Sequence, residues 1–357
     1  MSENAGAAPS RISATSLTGF IAAAYRAVGI ANAAAERAAE LMAASDISGA
    51  DGHGVFRLPQ YIRRIKAGGL NTAPDIRVTR GGKATAVVDG DNGLGSLVVS
   101  RAVEEAIGLA RDNGVGWVGV RRGNHAGAAA VYAAMPLEHD MIGLYFAVGN
   151  ANHLPPWGGI DMLLSTNPVA IAVPALAEPP LVLDMATTVA AYGKVKVAAQ
   201  QGKRMPEGWM IDREGKPLTD PNRADDGFLL PIGGYKGAAL ALMFGLLAGT
   251  LNGAANGADV VDFNKDDTTP TNTGQAICVI DIKAFAEPLA FKRQVDAVIR
   301  QLHGSALLPG FERIRLPGED RHHRIAERHA HGIPIPPELR AALDKMAGEL
   351  RIAPLFG

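Results

Sequence analysis

The sequence predicts an α/β fold: a sheet-bearing middle held between two helical chain ends. Three observations carry this reading. Alanine-rich runs with apolar residues at helical spacing open the chain, short β-branched runs alternate with helical ones from Ala84 onward, and Pro336 to Leu350 returns to helical texture. The expected division is 1–80 as an N-terminal helical segment, 81–285 as the α/β domain, and 286–357 as a C-terminal segment packing beside the N-terminal helices.

The first predicted helix is capped by Thr15 or Ser16, turns Leu17, Phe20, Ile21, Ala24 and Val28 inward, and closes at Gly29. A second runs from Ala31 to Ser45, and a turn-rich stretch from Asp46 to Arg57 follows it. Pro59 opens a third, ended by Gly68-Gly69. The expected strands are Ala84–Asp89, Val115–Arg121, Met141–Gly149, Ala170–Pro174, Leu181–Ala186 and Ile277–Ile282. Between and after them come helices over Ser96–Asp112, Ala126–His139, Val189–Gln201, Tyr235–Leu251 and Glu287–His303.

Composition excludes several classes. With 357 residues, 47% hydrophobic and 20% charged, the chain can build the core of two or three domains and is not disordered. Lys+Arg 35 against Asp+Glu 36 leaves a formal charge of -1, and no basic stripe marks nucleic acid as a partner. One cysteine, Cys278, forms no intrachain disulfide and fits a reducing, cytoplasmic setting. The opening MSENAGAAPSRI reads as a loose tail. The apolar run Ala238 to Leu251, broken by Gly245 and Gly249, is too short to cross a membrane and is expected as a buried core helix.

Five clusters could carry chemistry. In Asp51-Gly52-His53-Gly54-Val55-Phe56-Arg57, glycines leave the imidazole unshielded, and Arg57, four residues on, offers a fork suited to a carboxylate. If helical, the spacing puts both on one face: Arg57 would hold a 2-oxo acid while His53 exchanges a proton with the adjacent oxygen. A surface turn is the alternative. In Arg122-Gly123-Asn124-His125-Ala126-Gly127, a strand passes to a helix that Asn124 would cap, and the helix start would attract an anion such as a pyrophosphate. Gly-rich turns of this kind also serve structure alone.

Ser165-Thr166-Asn167-Pro168 and Leu183-Asp184-Met185-Ala186-Thr187-Thr188 lie at strand ends, where α/β ligands gather. Asp184 would orient a histidine, accept from a ribose or cap the next helix; Thr187 is a second candidate cap. Gly233-Gly234-Tyr235-Lys236-Gly237 lacks the Walker spacing, but Lys236 at a helix head could meet a phosphate or ribose. In Leu316-Pro317-Gly318-Glu319 the acid either binds a ribose hydroxyl pair or sits on a plain turn. Gly93-Leu94-Gly95 has Val98 where a Rossmann fingerprint needs its third glycine. Arginines among His322, His323, His329 and His331 point to a solvated basic face and not to a metal site.

Taken in order, these stretches resemble the malate/L-lactate dehydrogenase family that lacks the Rossmann fold. DGHGVFRLPQYIRRIKAGG, VDGDNGLG, GNHAGAAAVYAA, PPWGG, STNPVAIAVPA, LDMATTVAAYGKV, GWMIDREGKPLTDP, GGYKGAALAL and LPGE carry the likeness across most of Ser45 to Glu319. The resemblance implies a homodimer with a cofactor-binding domain at 81–285 and NAD or NADP as hydride carrier. Its implied chemistry interconverts a small 2-oxo acid and its 2-hydroxy acid, or alternatively reduces a cyclic imine; a noncatalytic dinucleotide-binding protein is a further alternative. It implies His53 or His125 as acid/base, with Asp184 relaying charge, and Arg57 and Thr166 at the substrate. Asn124, His125, Gly127, Asp184, Met185, Ala186, Thr187, Lys236, Gly318 and Glu319 would contact the cofactor, and no metal is implied. Gly52 stands where many members carry serine.

Overall fold

The computed structural model describes residues 9–356. The first eight residues of the predicted loose tail lie outside the described part; its end, β1 (Ser10–Ile12), is a strand paired antiparallel with β13 (Ile333–Ile335).

The α/β expectation holds, and the sheet differs from a Rossmann sheet in its strand directions. Seven strands lie in the order β2-β3-β4-β12-β5-β8-β9: β2 (Arg77–Arg80), β3 (Thr85–Asp89), β4 (Val115–Arg121), β12 (Gln275–Asp281), β5 (Met141–Ala147), β8 (Val169–Val173) and β9 (Leu181–Met185). Only β3 and β4 run parallel; every other neighbouring pair is antiparallel. The parallel pair needs a crossover, supplied by α4 (Gly95–Asn113), which buries Val98, Val99, Ala102, Val103, Ala106 and Ala110. Short pairs, β6 (Asn152–Leu154) with β7 (Leu164–Ser165) and β10 (Met210–Asp212) with β11 (Gly227–Leu229), flank the sheet.

The helical ends share a second core. α1 (Ala14–Ala27), α2 (Asn32–Ile47) and α3 (Leu58–Ala67) place Leu17, Ile21, Ala38 and Ile62 against Ile333 and Ile335 of β13 and Leu343 of α10 (Pro337–Leu350). α8 (Pro288–His303) instead belongs with the sheet, because Asp296 accepts from the backbone N–H groups of Leu176, Ala177 and Glu178. The return to the N-terminal helices comes with α9 (Glu319–His331).

Several local expectations are corrected. Ser13, not Thr15 or Ser16, caps α1, its hydroxyl accepting from Ser16 N–H at 3.0 Å. The helix expected over Ala126–His139 is only α5 (Ala129–Ala133) with a 3₁₀ turn at Met135–His139. Asn124 does not cap it, and Thr187 does not cap α6 (Tyr192–Gln200); the N-cap residues themselves, Ala128 and Ala191, make no side-chain cap hydrogen bond. α7 (Tyr235–Ala248) is not a buried core helix: Gly237, Ala238, Ala241, Gly245 and Ala248 pack inward, while Leu242, Met243 and Leu246 stay exposed. Small residues on the inner face let α7 lie close to the sheet, which leaves its large side chains outside. The histidine-rich tract is α9, whose basic face is not wholly solvated, since Arg328 is buried.

Candidate functional site

Between α2 and α3 the chain makes two 3₁₀ turns, Asp51–His53 and Val55–Arg57, hinged at Gly54. His53 and Arg57 therefore sit on successive turns and not on one helix, yet both line the same cleft, whose volume is ≈ 1330 Å³. The Arg57 guanidinium is tied back by Nε to the Gly52 carbonyl at 2.9 Å and by Nη1 to Gln60 Oε1 at 3.0 Å. Burial lowers its pKa, and Nη2 has no hydrogen-bond partner among the described residues, so it can donate to a carboxylate.

The adjoining wall is the Asn124–Gly127 turn. Asn124 is buried and structural: its amide donates to the carbonyls of Asn92 (2.8 Å) and Gly93 (3.0 Å) and accepts from Thr271 Oγ1 (3.1 Å). The backbone passes so close to α4 that a Cβ at Gly95 would meet the Asn124 carbonyl oxygen at 2.0 Å. Gly95 thus serves this contact, a physical reason for the incomplete glycine fingerprint. His125 presents Nδ1 to Tyr61 Oη at 2.5 Å and to Gly127 N–H at 3.3 Å. A backbone N–H can only donate, so Nδ1 accepts and Nε2 carries the proton. The His125 ring stacks on Phe263 (centroids 5.2 Å apart) and His53 (5.9 Å).

Burial, then the nearby Arg57 cation, pulls the His53 pKa down to about 4. The same two causes, joined by His53 and Arg64, hold His125 well below the usual range. Both imidazoles are neutral near pH 7. Tyr61, whose pKa burial raises, keeps its proton.

Thr166 also lines the cleft, and its carbonyl accepts from both N–H and Oγ1 of the buried Thr187 at 2.9 Å each. Asp184 bonds no histidine. Its Oδ2 accepts from Ala130 N–H at 2.9 Å, so it caps α5, which lies upstream, and not the helix after it. Met185 and Ala186 are half-buried at the end of β9. Ile232 N–H donates to the Thr187 carbonyl at 2.9 Å, which brings the loop before the exposed Lys236 beside that strand end. Pro317 accepts from Val182 N–H at 3.1 Å, so Gly318 also lies against β9. Glu319 is already engaged, with Oε1 at 2.5 Å from His303 Nε2 and Oε2 accepting from Leu316 N–H at 3.1 Å. Of the cofactor candidates, His125 and Gly127 line the cleft, while Asp184, Met185, Ala186, Thr187, Gly318 and Glu319 lie on or beside β9 outside that lining, and Lys236 lies outside it at the head of α7.

These surroundings fit a dinucleotide. The cleft exceeds the roughly 300–1,000 Å³ usual for one drug-sized ligand, leaving room for a small acid beside a cofactor. Next to Asp184, Arg321 Nε is buried with no partner among the described residues, a donor suited to a phosphate or ribose oxygen. Sequence reasoning missed Tyr61, Phe263, His153 and Lys196. His153 stacks on Tyr192 at 4.1 Å, and Lys196 Nζ donates to Asn264 Oδ1 at 3.1 Å, all beside the cleft. For Tyr61 a signal existed: it lies four residues beyond Arg57, one helical turn further along the same motif. Among the described residues no three His, Cys, Asp or Glu side chains gather to hold a metal ion.

A largely antiparallel sheet, a helical unit closed by both chain ends, and a cleft holding two neutral imidazoles and a guanidinium describe an α/β protein outside the Rossmann class, equipped for proton exchange on a small acid. The malate/L-lactate dehydrogenase family model matches residues 12–344, and the chain belongs to that family. Malate dehydrogenase of Pyrococcus horikoshii is 37% identical over 350 residues, 94% of each chain. Its solved structure superposes with a TM-score of 0.88 and 34% identity over 97% of both chains. Ureidoglycolate dehydrogenase (NAD(+)) of Escherichia coli is 33% identical over 83% of this chain and 84% of that protein. (2R)-3-sulfolactate dehydrogenase (NADP(+)) of Chromohalobacter salexigens is 34% identical over 86% and 89%. The structure of delta1-piperideine-2-carboxylate reductase from Pseudomonas syringae matches with a TM-score of 0.83 and 31% identity, covering 96% of this chain and 99% of that one. The chain is an NAD(P)-dependent oxidoreductase of the 2-hydroxy acid type.

Proposed function

We propose that the cleft interconverts a small 2-oxo acid of the malate type and its 2-hydroxy acid, with Arg57 holding the carboxylate and His53 exchanging the proton at the C2 oxygen. Bound at the cleft, NAD or NADP supplies or accepts the hydride at C2. Neutral His53 suits the oxidative direction, in which it takes the hydroxyl proton as general base. In the reductive direction the ring must arrive protonated, and the bound carboxylate assists by offsetting the Arg57 charge, the smaller of the two causes that hold the His53 pKa down. The Nε2–H of His125 would hydrogen-bond the same oxygen and stabilise its developing charge, with His125 as the alternate proton donor. Thr166 would add a substrate contact at the cleft floor.

Asn124 shapes the turn, and Gly127, Asp184, Met185, Ala186, Thr187, Lys236, Gly318 and Glu319 would flank the cofactor. Asp184 would act through Ala130 and α5, with no direct relay to a histidine. The observation that carries this reading is the convergence of His53, His125 and Arg57 on one cleft. Measuring turnover of pyruvate, oxaloacetate and piperideine-2-carboxylate with NADH and NADPH tests it: the reading expects a 2-oxo acid to be fastest, and turnover of the imine alone would replace it. The imine alternative draws on the fold match to the piperideine-2-carboxylate reductase.

A homodimer is part of the proposal. Exposed Leu242, Met243 and Leu246 on α7 form an apolar strip that a second copy would cover. We also place the enzyme in the cytoplasm, on the single Cys278; no helix among the described residues is long and apolar enough to cross a membrane. The proposed units are the sheet with its α4, α7 and α8 cover, and the helical unit of both chain ends.

A further inference from the structure

We propose that Asp46 is the positioning residue of the proton-transfer wall: its carboxyl group sets the backbone between His53 and Arg57 and thereby fixes both side chains relative to the substrate. This rests on the roles given to His53 and Arg57 above.

Asp46 lies near the end of α2, only 3% exposed. Its Oδ2 accepts from Val55 N–H at 2.8 Å, and Val55 is the first residue after the Gly54 hinge. The turn rests directly on the carboxyl group: a Cβ at Gly54 would stand 2.2 Å from Asp46 Cγ and Oδ1. Only glycine lets the two turns close on this acid.

A second clamp closes the same segment from α9. Arg328, 7% exposed, donates to the Asp46 carbonyl and pairs with Asp51 through both Nη1 and Nη2, the latter 3.1 Å from Oδ2. Asp51 begins the turn that ends in His53. The His53–Arg57 segment is thus pinned at its start by Arg328 and at its hinge by Asp46.

A buried acid is an expensive way to fill a core position, since an apolar residue of similar size avoids its desolvation. Burial pushes the Asp46 pKa up to about 8, with Asp51 adding repulsion and Arg328 opposing it. In either protonation state Oδ2 can accept from the Val55 N–H. Its contribution is geometric: one hydrogen bond to one backbone N–H, two residues from each of the side chains whose placement matters.

The test compares Asp46→Asn with Asp46→Ala in the full chain, reading kcat, the acid limb of kcat/KM for hydroxy acid oxidation, cofactor Kd and Tm. Asp46→Asn keeps an acceptor and should stay within about threefold of wild type. Asp46→Ala should lower kcat by about 10²-fold, the scale of an ångström misplacement. In that variant the His53 titration, followed by NMR, should move from about 4 toward the 6.5 of a solvated ring. A merely structural role would lower Tm without moving that titration. The proposal is overturned if Asp46→Ala keeps kcat within threefold and His53 still titrates near 4, or if Asp46→Asn is as impaired as Asp46→Ala. Should Asp46→Ala fail to fold, Gly54→Ala decides, because its methyl group displaces the same carboxyl; an unaltered kcat and His53 titration there would overturn the proposal. If wild type turns over no 2-oxo acid or imine, the functional reading fails separately, and the NMR titration still reports whether Asp46 holds the turn.

Discussion

The two walls of the cleft each present a histidine, and they hold it differently. His125 is immobilised: Tyr61 and Gly127 occupy Nδ1, Phe263 covers one face, and Asn124 anchors the turn in a buried network. His53 makes no side-chain hydrogen bond among the described residues; what is fixed is its backbone, through Asp46 and Arg328. A proton exchanger must take and release a proton at an unencumbered nitrogen, whereas an electrostatic donor gains from being locked. The difference favours the proposed division, with exchange at His53 and oxyanion support from His125.

Replacing the rings breaks that comparison most severely. His53→Ala should cost about 10²–10⁴ in kcat, the usual range for losing a general acid or base, and should flatten the pH dependence of kcat/KM. His125→Ala should lower kcat while leaving that pH dependence in place. Measured pH–rate profiles in both variants decide; if His125→Ala is the one that flattens the profile, the two roles are exchanged.

Arg57 comes next. Its fork should bind the ground state and transition state alike, so Arg57→Met should raise KM by about 10–100-fold with a smaller change in kcat, as expected for losing one or two charge-assisted hydrogen bonds. Equal KM values for wild type and variant would place the substrate carboxylate elsewhere.

Sharpening the comparison from the His125 side takes a gentler change. Tyr61→Phe removes the phenol from Nδ1 and leaves the Gly127 N–H to hold the ring. A net hydrogen bond of about 1 kcal/mol corresponds to about a fivefold fall in kcat, with KM little changed. An undiminished kcat would show that Phe263 and Gly127 suffice to orient His125.

How far this site could be read in advance follows from how local each feature is. Strands β3, β4 and β9 were legible because β-branched runs bounded by turns write themselves into adjacent residues. His53 with Arg57, and His125 after its glycine turn, were legible for the same reason. Antiparallel pairing of β12 between β4 and β5 was not, because it joins residues more than a hundred positions apart. The exposed side of α7 was misread as core because an all-apolar helix reports burial on every face, whether protein or a partner supplies it. The sequence around Asp184 allows a histidine, a ribose or its own following helix as partner, whereas its hydrogen bond crosses to α5, more than fifty residues upstream. Arg328 looked solvated among histidines, since nothing nearby in the chain announces Asp46 and Asp51 as its partners.

The smallest expected effect concerns folding rather than turnover. His53 and His153 titrate near 4 in the fold against 6.5 when free, because burial disfavours their charged forms; His125 is lowered too. Between those values the unfolded chain binds more protons than the folded one, so the stability that neutral rings contribute is fully present above about pH 6.5 and is lost as pH falls toward 4. A full shift of this size is worth up to about 3 kcal/mol, and rings lining an open cleft retain enough water to reduce it to about 1 kcal/mol each. Urea titrations from pH 7 to 4 should therefore show stability falling, and His53→Gln should shallow that slope by about one proton at most. A slope unchanged in His53→Gln would mean that His53 is as well solvated in the cleft as in the unfolded chain, and the contrast between its wall and that of His125 would then rest on hydrogen bonding alone.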